Sequence, residues 1–421
     1  MTLALDQRQG LVESEVRYYA RKWPATFTRA AGPFMYAADG RRFIDFFSAA
    51  GSLNYGHNHP VLVDRMIELL AQERVLQGLD MATPERAAFL EIFGRNVTSR
   101  IPGSWRVQFT GPTGASAVEA ALHLARKTTG RSNVVSFTNA FHGMSLGAAS
   151  VSGRSRAHGR IGVESTVLPF DGYFPSGPTA VEMLQRYLDD PSSGLAPPAA
   201  IIVEAVQAEG GVRVAGDRWL ADLALLAQAR GIPLILDDIQ AGCGRSGAFF
   251  SFERSGIAPD LVCLSKSLSG SGLPMSVLLI REGLDAWEPG EHSGTFRGQG
   301  LALATASAAV EHFWGDDKLE LGVAEKEQVI RDHLERIADE LAAVTGSRGR
   351  GMLHGLECQD QESADAVVHE CFTRGLIVET AGALGNVVKL LPALTIDEDV
   401  LAEGLGILGA AARDVLAGGR R

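Results

Sequence analysis

Two short stretches put an acid and a lysine where apolar runs give out. Asp237-Asp238-Ile239-Gln240 follows Ile232-Pro233-Leu234-Ile235-Leu236, and Ser265-Lys266-Ser267 follows Leu261-Val262-Cys263-Leu264. Runs of that length bounded by polar residues suit buried strands of a parallel sheet. Ligands of open α/β sheets bind outside the carboxyl ends of such strands. A lysine there is ordinarily a solvated loop residue, but the chain's use of lysine argues otherwise. Of 39 lysines and arginines only six are lysines. Lys22, Lys127, Lys318 and Lys326 sit beside charged or polar residues, whereas Lys266 and Lys389 are flanked by apolar segments. Where arginine is the habitual cation, a lysine in an apolar setting suggests chemistry arginine cannot do. A desolvated ammonium can lose its proton and become a nucleophile; a guanidinium cannot.

Other strand ends carry further candidates. Thr110-Gly111-Pro112-Thr113-Gly114-Ala115-Ser116 follows Val107-Gln108-Phe109 and opens a helical segment with Val118, Ala121, Leu122 and Ala125 on one face. A strand, a glycine-rich turn and a helix start together make an anion site from free N–H groups and the helix dipole. The turn is neither a P-loop nor a dinucleotide GxGxxG, and many such glycines serve geometry alone. Asn139-Ala140-Phe141-His142-Gly143 follows the run ending at Phe137. Phe141 either stacks on a flat heteroaromatic ring, a gain on the order of 1 kcal/mol, or is a packed core residue. Glu204 and Glu209 lie past the run Ala200–Val203, as an acid/base pair or as solvated loop acids. His57 and His59 have no further ligands at metal spacing, so no metal site is expected.

Asp237 binds these signals together. A pyridinium nitrogen needs a carboxylate partner to stay protonated and draw electrons from a substrate carbanion. With a Schiff-base lysine at Lys266 and a phosphate cradle at Thr113–Ser116, the set is what pyridoxal 5'-phosphate requires. No metal or nicotinamide reading uses all three.

A parallel sheet must hold these ends together. Apolar runs recur at Val107–Phe109, Val134–Phe137, Ala200–Val203, Pro233–Leu236, Leu261–Leu264 and Val277–Ile280, with helical segments such as Trp219–Arg230 between several of them. That alternation predicts a parallel sheet with helices on both faces. Before it, Phe34–Tyr36 and Arg42–Phe46 read as a hairpin around Asp39-Gly40, and 61–74 as an amphipathic helix. After about residue 305 the pattern becomes α+β: a charged helix at 318–343, strands at 352–357, 376–380 and 387–391, and helices at 362–374 and 397–416. We expect a large cofactor-binding domain at 61–310. The small domain would combine the N-terminal segment 1–60 with 311–421.

The 421 residues are 46% hydrophobic and 21% charged, an ordinary globular composition. A net charge of −11 without a basic cluster argues against nucleic acid as a partner. No stretch of about 18 apolar residues suggests a membrane span. Met1–Gly10 lacks the pattern of a signal peptide, and Cys243, Cys263, Cys358 and Cys371 form no CxxC. A cytoplasmic enzyme without a metal is the expectation.

The segment LILDDIQAGCGRSGAFFSFERSGIAPDLVCLSKSLSGSGLP resembles the class III (subgroup II) aminotransferases, pyridoxal-phosphate enzymes of fold type I, and the likeness runs from about residue 15 to 415. LNYGHNHPVL, GLDMAT, VQFTGPTGASAVEAALHLARK, SFTNAFHGM, GEHSGTFRG and VVKLLPALTI are similar to the diaminobutyrate branch of that family, which serves ectoine biosynthesis. The resemblance implies an α/β fold: a large domain with a mostly parallel seven-stranded sheet, plus a smaller α+β domain built from both termini. It implies that Lys266 forms the Schiff base and moves the proton between substrate Cα and cofactor C4′. Asp237 would pair with the pyridine nitrogen and Gln240 approach the ring hydroxyl. Phe141 would stack on the ring, with His142 also at the cofactor, and Gly114 and Ala115 would offer N–H groups to the phosphate.

Thr295, within His292–Phe296, would reach the phosphate of a neighbouring subunit. The resemblance therefore implies a homodimer, or a tetramer, with active sites at the subunit interface. Glu209 matches an acid near the substrate that in several members pairs with a gating arginine. Where many members carry an arginine that grips a substrate carboxylate, this chain has Lys389, whose ammonium binds a carboxylate as a point charge and not as a fork. Lys389 is thus either a substrate ligand or a structural lysine on an edge strand. The implied reaction moves an ω-amino group between L-glutamate/2-oxoglutarate and L-aspartate 4-semialdehyde/L-2,4-diaminobutyrate. Another terminal amine as substrate, or racemase or aminomutase chemistry on the same cofactor, are the alternatives.

Overall fold

The computed structural model describes residues 13–153 and 162–417. Seven strands share one sheet: β1 (Trp105–Phe109), β2 (Val134–Phe137), β3 (Ser165–Leu168), β4 (Ala200–Val203), β5 (Leu234–Asp237), β6 (Leu261–Leu264) and β7 (Val277–Arg281). Their order is β1-β7-β6-β5-β4-β2-β3. Neighbours run parallel except at β7, which is antiparallel to both β6 and β1.

The apolar runs are unbroken because both faces of the sheet are covered and side chains alternate between them. Ile201, Val203, Leu234, Leu236, Val262 and Leu264 enter a core with Trp219 and Leu223 of the helix Asp217–Ala229. Ala200, Ile202, Ile235, Leu261, Cys263 and Leu278 enter another with Val118, Ala121, Leu122 and Ala125 of α1 (Gly114–Thr129). Burying each large aliphatic side chain contributes about 1.5–3 kcal/mol. The result is a rigid sheet whose carboxyl edge carries the polar residues.

The two ends of the chain meet in a second layer. The hairpin Phe34–Ala37/Arg42–Asp45 forms with Gly40 at φ 87° in its turn, and the strand Phe27–Ala31 precedes it. Arg42–Asp45 pairs in parallel with Leu376–Ile377. Ile44 and Phe46 share an apolar cluster with Ile330 and Leu334 of the helix Lys318–Glu340 and with Leu401 and Leu405 of Glu398–Leu416. The same cluster takes one face of an antiparallel sheet made of β8 (Val344–Arg350), β9 (Leu353–Cys358), β10 (Glu379–Ala381) and β11 (Val387–Leu390), in the order β8-β9-β11-β10.

Arg245, wholly buried, ties the layers together. Its guanidinium donates to Asn54 Oδ1 and to the carbonyls of Met352 and Pro392. Among the described residues, no helix is long and apolar enough to cross a membrane.

Candidate active site

The sheet register delivers the expected acid and lysine to one edge. Asp237 closes β5 and stands beside Cys263 of β6, so Lys266 emerges just beyond it on the neighbouring strand. Glu204 follows β4, Phe141 and His142 follow β2, and the Thr110–Ser116 turn follows β1. Asp237 is buried, and its Oδ2 lies 2.7 Å from His142 Nδ1 while Oδ1 accepts from the Ile239 N–H at 3.2 Å. The His142 N–H in turn donates to Ser152 Oγ at 2.8 Å. The carboxylate is therefore fixed in direction.

Lys266 Nζ donates to the carbonyl of Ala50 at 2.7 Å. Lys266 itself sits at φ 50°, and the acceptor lies in the left-handed run Ser48, Ala49, Ala50 at φ 45°, 47° and 57°. Left-handed backbone costs a non-glycine residue about 1–2 kcal/mol. Asp45 Oδ1 holds the run by accepting from Phe47 N and Ser48 N at 2.7 and 2.9 Å, and Ser267 Oγ donates to the Gly51 carbonyl at 2.9 Å. Local strain thus aims one carbonyl at the lysine, in keeping with the clustering of strained backbone at functional sites. Burial is the main influence on the Lys266 ammonium and Glu209 opposes it; the pKa falls to about 8.

The end expected to hold the phosphate is built by close approach. Thr113 caps α1, its Oγ1 accepting from Ser116 N at 3.3 Å, which leaves the first N–H groups of Gly114 and Ala115 without intrahelical partners. A Cβ on Gly114 would lie 2.9 Å from Ile239 Cδ1, so the helix start abuts the segment between Asp237 and Gln240. A Cβ on Gly143, at φ 122°, would lie 2.7 Å from Ala115 Cβ, bringing the Phe141-His142 segment against the same helix start. Phe141 remains 36% exposed and so is not a packed core residue. A helix N-terminus at one end, a fixed carboxylate at the other and an aromatic face between them suit a flat ring that carries a phosphate.

A second group of charges adjoins the first. Gln240 Nε2 donates to the Ala50 carbonyl at 2.9 Å and to Glu209 Oε1 at 3.1 Å. The same oxygen accepts from Lys389 Nζ at 2.5 Å, and Lys389 Nζ lies 3.0 Å from Glu379 Oε1. Lys389 is wholly buried on β11, between β9 and β10, so it is not on an edge strand; the edge is β10, where Glu379 stands directly across from it. Burial alone would discharge Lys389, but Glu209 and Glu379 outweigh it and hold the ammonium above its usual range. Burial pushes Glu209 upward too, yet Lys389 and Lys266 prevail and its carboxyl is held low. Burial keeps Glu379 above the ordinary carboxylate range.

Glu204 is buried and not a solvated loop acid; its Oε2 accepts from Phe141 N at 3.1 Å. Burial, and then the charge of Asp237, raise its pKa well above the ordinary value. Thr295 stands apart, exposed on a segment whose Gly294 borders Gly111 of the phosphate turn, and among the described residues it has no hydrogen bond to the pocket. His57, set aside as a ligand, lies 2.7 Å from Asp45 Oδ2. Sequence reasoning misses Ala50 and Glu379. A backbone acceptor leaves no mark in the sequence. Glu379 has one available signal, an acid across from a lysine in a hairpin whose turn holds Gly382 and Gly385.

Residues 18–412 match the aminotransferase class-III family. The chain belongs to the class-III aminotransferases. It is 48% identical over 412 residues to a diaminobutyrate–2-oxoglutarate transaminase of Bordetella parapertussis, covering 96% of this chain and 94% of that protein. A diaminobutyrate–2-oxoglutarate transaminase of Streptomyces coelicolor is 49% identical over 408 residues, 96% of each chain. Among solved structures, the ornithine aminotransferase of Toxoplasma gondii, with pyridoxal phosphate at partial occupancy in its active site, superposes with a TM-score of 0.81 at 25% identity. That match covers 93% of this aminotransferase and 90% of that chain.

Proposed function

We propose that this class-III aminotransferase uses pyridoxal 5'-phosphate to move a terminal amino group between L-glutamate/2-oxoglutarate and L-aspartate 4-semialdehyde/L-2,4-diaminobutyrate. The observation that carries the proposal is one connected path of hydrogen bonds. It runs from Lys266 through the Ala50 carbonyl and Gln240 to Glu209 and Lys389. Path and relatives agree, since the Bordetella parapertussis and Streptomyces coelicolor relatives, which share this chain nearly end to end, carry the diaminobutyrate name.

When bound, the cofactor supplies an electron sink that acidifies the C–H of the carbon bearing the transferred amine. In this proposal Asp237, aimed by His142, holds positive charge on the pyridine nitrogen. The N–H groups of Gly114 and Ala115 hold the phosphate, Phe141 covers a ring face, and Gln240 faces the ring hydroxyl. Lys266, with a pKa of about 8, is basic enough to take the proton from the carbon bearing the transferred amine and acidic enough to return it. Glu209 and Lys389 stand at the substrate end.

Thr295 completes the phosphate site of a second copy, so the working unit is a homodimer. Exposed Leu76, Leu79, Met81 and Phe296 support that arrangement. Four free, buried thiols suit a reducing cytoplasm, and supplying diaminobutyrate for ectoine is the corresponding pathway. The test is substrate preference: glutamate with aspartate semialdehyde should turn over at least about tenfold faster than ornithine, which is one methylene longer than diaminobutyrate, or 4-aminobutyrate, which lacks its second ammonium. Equal or reversed preference removes the diaminobutyrate assignment.

A further inference from the structure

Lys389 has a place and a charge that leave it nothing to offer a substrate directly. Its side chain is wholly buried, on an interior strand, with Glu209 at 2.5 Å and Glu379 at 3.0 Å. The Glu379 side chain is itself only 4% exposed and is fixed by strand register opposite the lysine. Swinging Lys389 out to a carboxylate would leave that acid buried and unpaired, which is strongly destabilising. Glu209 is the accessible member of the trio, with its side chain 31% exposed. Its Oε1 takes both Lys389 and Gln240. Among the described residues no donor approaches its Oε2.

We infer that Glu379 and Lys389 act as a buried brace that fixes Glu209, and that Glu209 Oε2 is the acceptor for a second ammonium group on the substrate. This deepens the proposed function and rests on it, because it names what the site recognises in the diamine half-reaction: a cationic group besides the one transferred. Geometry limits the spacing. Three hydrogen-bonded steps join Lys266 Nζ to Glu209 Oε1, so the two lie at most about 9 Å apart at roughly 3 Å per step. Two amines joined by three carbons span about 5 Å when extended. An amine reacting beside Lys266 can thus carry its second ammonium to within about 4 Å of Glu209 even at that upper limit, and to hydrogen-bond distance wherever the path bends.

The charges fit the same use. Glu209 stays ionised because two lysines outweigh its burial, and Lys389 is already neutralised by its two acids. A carboxylate of the substrate would find no free cation in this trio; an ammonium would find a free oxygen.

L-2,4-Diaminobutyrate and 4-aminobutyrate make the decisive pair, since they differ only in the second ammonium. The experiment follows the loss of the cofactor's visible absorbance when each amine is added to the cofactor-loaded enzyme. The wild type should favour diaminobutyrate in kcat/KM, and Glu209→Gln should reduce that ratio by about 10–100-fold, the value of one charge-assisted hydrogen bond. The amide oxygen of that variant still accepts from Lys389, so the brace is kept and folding is not at issue. Glu379→Gln should raise the KM for diaminobutyrate more than it lowers kcat, because it loosens the brace and not the reacting groups. A ratio unchanged in Glu209→Gln overturns the assignment while leaving the transaminase standing. A wild type whose absorbance responds to neither amine overturns both.

Discussion

In the proposed role Lys266 would meet two opposing demands, since it would have to be a neutral amine to attack and also carry a proton during transfer. Burial supplies the first by disfavouring charge, and Glu209 supplies the second by favouring it. The balance at about 8 sets a sign: the neutral form grows as pH rises through that value and is scarce below it. The rate at which apoenzyme takes up pyridoxal phosphate, read from the rise in visible absorbance, should therefore climb with an inflection near pH 8. An unperturbed lysine would place the inflection near 10.5. Glu209→Gln should move it to lower pH, because the carboxylate that favours the ammonium is gone. Lys266→Ala should form no such chromophore at any pH, and a full chromophore in that variant would refute the assignment.

The same residue shows why some of the site was legible in the sequence and some was not. A chain that prefers arginine everywhere betrays a lysine with a chemical task, and Asp237 is betrayed by ending an apolar run. Ala50 acts through its backbone, and Glu379 through a register that exists only once β10 and β11 have paired.

Among elements, α1 and the end of β5 depend most on each other. Gly114 lets the helix start lie against Ile239, whose Cδ1 and Cγ2 would be 2.9 and 3.0 Å from an added Cβ. Gly114→Ala should push the helix N-terminus away from the Asp237 segment and weaken pyridoxal phosphate binding to apoenzyme about tenfold, the size of a weakened charge-assisted hydrogen bond. Adding Ile239→Ala removes both clashing atoms and should restore most of the affinity. Titration of apoenzyme by cofactor fluorescence measures both, and failure of the second change to rescue would place the role of Gly114 elsewhere.

Elements were legible in proportion to their burial. The six runs announced themselves: five lie on interior strands buried on both faces, and the sixth, Val107–Phe109, lies on the partly buried edge strand β1. Ser165–Leu168, a half-buried edge strand of mixed polarity, did not; a seventh strand follows from the family resemblance alone. Val344–Arg350 was hidden by Gly346 and Gly349, which strands seldom carry.

On the scale of the whole molecule, one chain brings together every expected site residue except Thr295. The segment that carries Thr295 lies beside exposed apolar residues: the Gly300 N–H donates to the Leu76 carbonyl at 2.8 Å, Gln77 bridges to Gln299, and Leu76, Leu79, Met81 and Phe296 face outward. Exposed apolar residues such as these are what a second subunit would cover, and a twofold axis there would send each Thr295 to the other subunit's glycine-rich turn. Complementation decides whether that happens. Thr295→Ala should weaken cofactor binding about 10–100-fold through loss of a hydrogen bond to a charged group, and Lys266→Ala should be inactive. When the two variants are mixed, dissociated and reassociated, half of the dimers should be hybrids. In each hybrid the subunit that keeps Lys266 receives Thr295 from its partner, while the other site lacks both. At limiting cofactor the mixture should then recover about one quarter of wild-type activity, as random pairing of equivalent subunits requires. If Thr295 served its own chain, no hybrid would contain an intact site, and the mixture would stay at the level of its parents.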